Sequence, residues 1–120
     1  SLRRIAVTCT KEFCPIDHVA IDVQDMDTAL RFFQDVFGMT VTRLKGPQEA
    51  PTDLWLSGGV QLCRVETQKP DCGRVGHLAF QCLELEPVLQ RAAQFGAAPV
   101  PGKGHHWFSA LGIQFEMKVQ

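Results

Sequence analysis

The sequence predicts an α+β domain: two βαβββ modules pairing into a curved, cleft-forming mixed sheet with the helices on its outer face. Three observations carry this expectation. Residues 16–66 and 76–119 repeat one another, each copy opens and closes on strand-like alternation, and each holds helix-period apolar residues in between. Asp17-His18-Val19-Ala20-Ile21 aligns with Gly76-His77-Leu78-Ala79-Phe80, and Val36-Phe37-Gly38 with Gln94-Phe95-Gly96. Trp55-Leu56-Ser57 aligns with Trp107-Phe108-Ser109, and Val60-Gln61-Leu62-Cys63 with Ile113-Gln114-Phe115-Glu116. Two copies of this length make a duplicated supersecondary unit rather than a solenoid, which needs three or more.

In the first module, Ile16–Val23 alternates: Val19, Ile21 and Val23 face one way, and Ile16, His18, Ala20 and Asp22 the other. Asp25 is placed to N-cap a helix running to Phe37. Met26, Ala29, Leu30, Phe33, Val36 and Phe37 form its apolar stripe, and Gly38 stands where a left-handed C-cap belongs. Met39–Leu44 alternates as a strand, residues 46–51 form a loop, and Asp53–Ser57 and Val60–Glu66 make a hairpin across Gly58-Gly59. Residues 67–75, with Pro70 and Gly73, read as a linker.

The second module, 76–120, opens on the strand Gly76–Cys82. Its helix starts near Pro87, carries Leu85, Val88, Leu89, Ala92 and Phe95 on one face, and ends at Gly96. Short strands are expected over 98–101 and 104–109. The last strand covers 112–119, where Ile113, Phe115, Met117 and Val119 oppose Gln114, Glu116 and Lys118. One domain thus spans 15–120, with module 1 over 15–66. Residues 1–14 lie outside the repeat, and an extra strand or a partner-gripping arm both suit them.

Each module is a half-buried sheet with a helix on its apolar face. Neither closes alone, so the two are expected to pair edge to edge and curl their polar faces around a cleft. At 120 residues, 45% hydrophobic and 21% charged, the chain suits one small soluble domain with a core of its own. Twelve Lys and Arg nearly cancel thirteen Asp and Glu, so no global field favours nucleic acid or an anionic membrane. No apolar run approaches the ~18 residues of a spanning helix, and Thr8, Lys11 and Glu12 break the run Ile5-Ala6-Val7 too soon for a signal peptide. Five cysteines without framework spacing point to free thiols in a reducing cytoplasm.

The polar face carries the chemistry. His18 and His77 are repeat equivalents, and Glu116 comes from the last strand. Two imidazoles and a carboxylate on neighbouring strands can hold a divalent ion on one side and leave positions open for substrate. Aligned with Glu116 in the first module is Cys63, as a fourth, thiolate ligand that favours zinc or as a neutral thiol lining the cleft. Of His105 and His106, alternation puts one towards the cleft, where it could shuttle a proton. Trp55 and Trp107 suit core packing or stacking on a flat ligand. Gln61 and Gln114 share the face of Cys63 and Glu116, where they reach substrate or water.

Four stretches carry a family resemblance: Ile16-Asp17-His18-Val19-Ala20, Leu30-Arg31-Phe32-Phe33-Gln34-Asp35-Val36-Phe37-Gly38-Met39, Gly76-His77-Leu78-Ala79-Phe80 and Ile113-Gln114-Phe115-Glu116-Met117. With them the chain resembles the vicinal oxygen chelate superfamily, which includes glyoxalase I, bleomycin-resistance proteins, methylmalonyl-CoA epimerase and extradiol dioxygenases. The resemblance implies paired βαβββ modules, commonly a homodimer, and a divalent metal (Zn, Ni, Mn or Fe) held by His18, His77 and Glu116. The remaining ligand position of the glyoxalase and epimerase branches falls on Cys63. The chain has no tyrosine, which disfavours branches that use a phenol, and extradiol dioxygenases are typically much longer.

Two functions follow from the resemblance. In one, a glyoxalase-like metalloenzyme activates a small oxygen-chelating substrate for lyase or isomerase chemistry, with Glu116 and one of His105 and His106 as catalytic groups. In the other, a bleomycin-resistance-like protein sequesters a small molecule without catalysis. Metal content separates them.

Overall fold

The computed structural model describes residues 7–66 and 74–120. Its elements are β1 (Ile16–Val23), α1 (Met26–Phe37), β2 (Val41–Lys45), β3 (Asp53–Leu56), β4 (Val60–Arg64), β5 (Arg74–Cys82), α2 (Leu85–Ala93), β6 (Ala98–Pro99), β7 (Trp107–Ala110) and β8 (Ile113–Val119). The strands form one mixed sheet in the order β2-β3-β4-β1-β5-β8-β7-β6. The opening strands of the two modules, β1 and β5, meet antiparallel at its centre. In each module the first strand lies parallel to the last, β1 to β4 and β5 to β8. The two modules pair edge to edge as expected, and the structure shows that the edges are their two first strands.

Local chemistry sets the element ends. The Asp25 carboxylate accepts from the Thr28 backbone N–H at 3.0 Å and from its hydroxyl at 2.8 Å, capping α1. Gly38, at φ 67°, ends the helix by donating to Gln34 O at 2.9 Å. The second helix begins at Leu85, before Pro87, which the first turn tolerates because its N–H has no intrahelical partner there. After Ala93 the chain tightens into i→i−3 hydrogen bonds, ending with Gly96 donating to Ala93 O at 3.0 Å. Strand β5 starts at Arg74, inside the segment read as linker; the rest of that segment, 67–73, and residues 1–6 lie outside the described residues. Residues 7–15 form no strand.

The main core lies between α1 and the first module's strands: Val23, Met26, Leu54, Leu56 and Leu62 are buried, with Ile21, Leu30, Phe33 and Met39 packed against them. The apolar stripe of α1 outruns this core. Val36 and Phe37 stay more than half exposed, and so does Phe95 after α2.

The β7–β8 hairpin turns on Leu111 and Gly112, at φ 56° and 73°. A left-handed leucine is strained, because its Cβ crowds the following carbonyl. Leu111 is also 91% exposed, so nothing in the core requires its side chain. Leu111→Asn, giving the Asn-Gly pair this turn prefers, is expected to raise stability by about 1 kcal/mol in urea denaturation. A variant less stable than the parent would refute the strain.

Candidate metal centre

The polar face of the sheet curves around a cleft of ≈ 920 Å³, lined by His18, Asp22, Asp53, Trp55, Gln61, Cys63, His77, Trp107, Gln114 and Glu116 among others. Alternation explains the set. On β3, Leu54 and Leu56 enter the core while Asp53 and Trp55 face the cleft; on β4, Leu62 is buried in the core while Gln61 and Cys63 face the cleft.

At the centre, His18, His77 and Glu116 converge, with one ligand atom of each within 4.8 Å of the others. The Nε2 atoms of His18 and His77 are 3.3 Å apart, and Glu116 Oε1 lies 3.7 Å from the first and 3.5 Å from the second. Ligands bonded at about 2.0–2.2 Å to one ion stand ~3.0–3.5 Å from each other, so this triangle suits a metal with little adjustment. The tautomer agrees. His18 donates Nδ1–H to Asp17 Oδ2 at 2.8 Å, which leaves the Nε2 lone pair facing inward.

Asp17 is itself held in place, since Gln81 Nε2 donates to its Oδ1 at 2.9 Å. Burial alone would raise the Asp17 pKa, but the hydrogen bonds from Gln81 and His18, with Lys118 nearby, outweigh it and hold the carboxyl below its usual range. Hydrogen bonding from His77 does the same for Glu116, against the opposing effect of burial. Both carboxylates are therefore ionised at neutral pH, the state in which Glu116 could hold a cation and Asp17 orients His18.

Cys63 does not join the cluster. Burial, reinforced by its hydrogen bond to Asp53, pushes its thiol up to about 12, so it lines the cleft as a neutral group. Register shows why the alignment with Glu116 fails. Ala20, two residues after His18, pairs with Gln61, and Ala79, two residues after His77, pairs with Glu116. Trp55 pairs with Gln61 as Trp107 pairs with Glu116. The counterpart of Glu116 is therefore Gln61, buried and donating Nε2–H to Asp53 Oδ1 at 3.2 Å. The carbonyl oxygen of this amide is its one atom able to donate to a cation. Cys63 should alkylate with iodoacetamide at pH 8 on the order of a thousandfold more slowly than an ordinary cysteine, because raising its pKa leaves almost no thiolate. Peptide mass spectrometry, with the exposed Cys9 as internal reference, checks this.

The other residues divide. Trp55 and Trp107 line the cleft rather than the core; Trp107 meets the His77 ring edge-to-face, centroids 4.7 Å apart. Gln114 lies in the cleft opposite His77. Neither His105 nor His106 lines it, which corrects their expected place. They fall in the turn before β7, so strand alternation does not reach them. His105 instead meets Glu86 of α2 at 2.7 Å, where both are largely exposed.

An eight-stranded sheet of two βαβββ modules around a His-His-Glu cluster defines a class of small duplicated cleft proteins. The sequence profile of the Glyoxalase/Bleomycin resistance protein/Dioxygenase superfamily matches residues 15–116, and the chain belongs to that superfamily. Its fold is similar to a Streptomyces coelicolor methylmalonyl-CoA epimerase variant in complex with 2-nitronate-propionyl-CoA (18% identity, TM-score 0.60, 88% of this chain and 96% of that one). It is also similar to methylmalonyl-CoA epimerase from Mycobacterium tuberculosis (20%, TM-score 0.57, 86% and 85%). A 4-hydroxymandelate synthase mutant from Streptomyces coelicolor matches at 22% and TM-score 0.68, over 88% of this chain and 37% of that one. No curated protein sequence matches significantly. No helix among the described residues is long and apolar enough to cross a membrane.

Proposed function

We propose that the chain is a glyoxalase-like metalloenzyme whose His18, His77 and Glu116 hold a divalent ion, with the Gln61 carbonyl as fourth donor, and which acts on a small substrate with neighbouring oxygens in lyase- or isomerase-type chemistry. The observation that carries this is the triangle of 3.3, 3.5 and 3.7 Å between two Nε2 atoms and one carboxylate oxygen. Imidazole and oxygen donors without thiolate suit zinc, nickel, manganese or iron. The bound ion would supply Lewis acidity, polarising the substrate's oxygens.

The chain's own groups do the rest. Asp17 keeps His18 oriented, and Gln81 keeps Asp17 in place. Trp55 and Trp107 present aromatic surface on either module's side of the cleft. With His105 and His106 elsewhere, the cleft carboxylates outside the triad are Asp22 and Asp53. Asp22 is drawn to Arg74 at 3.6 Å, and Asp53 is engaged by Gln61 Nε2 at 3.2 Å and by the Thr52 hydroxyl at 3.0 Å, so Glu116 remains the catalytic carboxylate of this reading. A homodimer in the cytoplasm is the setting proposed with this activity.

Metal analysis of the purified protein by plasma mass spectrometry is the test. About one ion per chain is expected, with a clear reduction in Glu116→Gln, which exchanges a charged oxygen donor for a neutral amide. No metal, even after each ion is added back, would overturn the enzyme reading. It would then favour sequestration, for which the paired cleft tryptophans are the supporting feature.

A further inference from the structure

Charge within the cleft is unevenly satisfied. Five cationic side chains line it: Arg43, Lys45, Arg74, Lys103 and Lys118. Two have acidic partners, Arg74 with Asp22 at 3.6 Å and Lys118 with Asp17 at 4.0 Å. Arg43, Lys45 and Lys103 have no carboxylate within 4.0 Å among the described residues, although Asp53 and Glu116 share the cleft with them.

Two of these three cations are positioned by the repeat-equivalent tryptophans. The Arg43 guanidinium lies 4.5 Å from the Trp55 ring centroid, and Lys103 Nζ lies 4.7 Å from that of Trp107. A cation over an indole face keeps its charge and its outward N–H donors while losing some rotamer freedom. Lys45, two residues after Arg43 on β2, shares its face of the strand. The cations come from both modules: Arg43 and Lys45 from the first, Lys103 from the loop before β7 in the second.

We infer that the substrate carries an oxyanion, such as a carboxylate or phosphonate, apart from the oxygens that approach the His-His-Glu cluster, and that Arg43, Lys45 and Lys103 receive it. Unpaired cations in a cleft are drawn towards a ligand of opposite charge and disfavour a cationic one. The aromatic walls beneath two of them suit a flat body bearing that group. This rests on the metal reading for where the substrate's other end lies, but the anion site itself consists of residues outside the cluster.

Two planar chelators that share one hydroxypyranone unit make the test: comenic acid, which bears a ring carboxylate, and kojic acid, which bears a hydroxymethyl group instead. Both are titrated calorimetrically into zinc-loaded and zinc-free protein. Comenate is expected to bind at least about tenfold more tightly than kojate in both forms, the equivalent of one charge-assisted contact. The preference should weaken with added salt. In an Arg43→Gln/Lys45→Gln/Lys103→Gln variant it should fall below about twofold. These exposed positions leave the fold intact, which circular dichroism verifies, and Arg43→Lys should retain most of the preference.

Equal affinities in the parent protein, no binding of comenate to the zinc-free form, or a preference that survives the triple substitution would each overturn the proposal. Failure to take up zinc with the comenate preference intact would overturn the metal reading and support the anion site. Zinc uptake with equal affinities would do the reverse.

Discussion

His77→Ala should abolish the stabilisation of this protein by divalent metal while leaving its fold in place. An ion that binds only the folded chain stabilises it by RT ln(1 + [L]/Kd), about 2.7 kcal/mol when it is present at a hundredfold over Kd. For a domain of this size that corresponds to a rise in Tm of roughly 10 °C. Without His77 one imidazole, one carboxylate and the weak Gln61 carbonyl remain, and the shift should fall below about 2 °C at the same concentration. The metal-free protein should suffer much less, because His77 is on the cleft face, where it meets the Trp107 ring with centroids 4.7 Å apart. That contact is worth about 0.5–1.5 kcal/mol. Differential scanning fluorimetry of both proteins, with and without zinc, separates the outcomes. A variant that collapses without metal yet keeps the zinc-dependent shift would place His77 in the core and the metal elsewhere.

The His-His-Glu cluster was legible because the sequence repeats its histidine strand. His18 and His77 occupy matching places in a repeat whose strands alternate cleanly, and Glu116 lies on the one face of β8 that is polar throughout. Gln61 as the counterpart of Glu116 was not legible, for a physical reason. Moving a strand by two residues returns every side chain to the same face, so alternation cannot distinguish Gln61 from Cys63. Only the ladder does, through Ala20 with Gln61 and Ala79 with Glu116.

The two histidines before Trp107 show the opposite failure. Alternation was extended beyond the strand, into a turn where its period has no meaning. The tryptophans could have been placed from the sequence, because Trp55 shares its strand face with Asp53 while Leu54 and Leu56 occupy the other. Apolar character suggested the core, and position on the strand decided otherwise. The exposed end of the α1 stripe was invisible to periodicity for a different reason: a helical pattern records which face is apolar, not how far the sheet beneath it extends.

The second large effect concerns Leu62, which is fully buried in β4. It pairs with Ile21 on one side and Leu54 on the other, and its side chain joins Val23, Met26, Leu54 and Leu56. Leu62→Ala should cost about 2–5 kcal/mol, the lost transfer energy plus a cavity that strands anchored on both sides cannot collapse to fill. That is a large fraction of the roughly 5–15 kcal/mol that holds a domain folded. Urea denaturation should show a lower midpoint at unchanged slope. Val36→Ala provides the contrast: it lies on the same predicted apolar stripe as Phe33, but at 58% exposure it should cost less than about 0.5 kcal/mol. Equal costs for the two would mean that the core does not lie between α1 and β4. Because Gln61 and Cys63 flank Leu62 and face the cleft, the same substitution should also loosen the strand that carries Gln61. Zinc affinity should then fall less than in Glu116→Gln, since the two histidines and Glu116 lie on β1, β5 and β8 and keep their places without it.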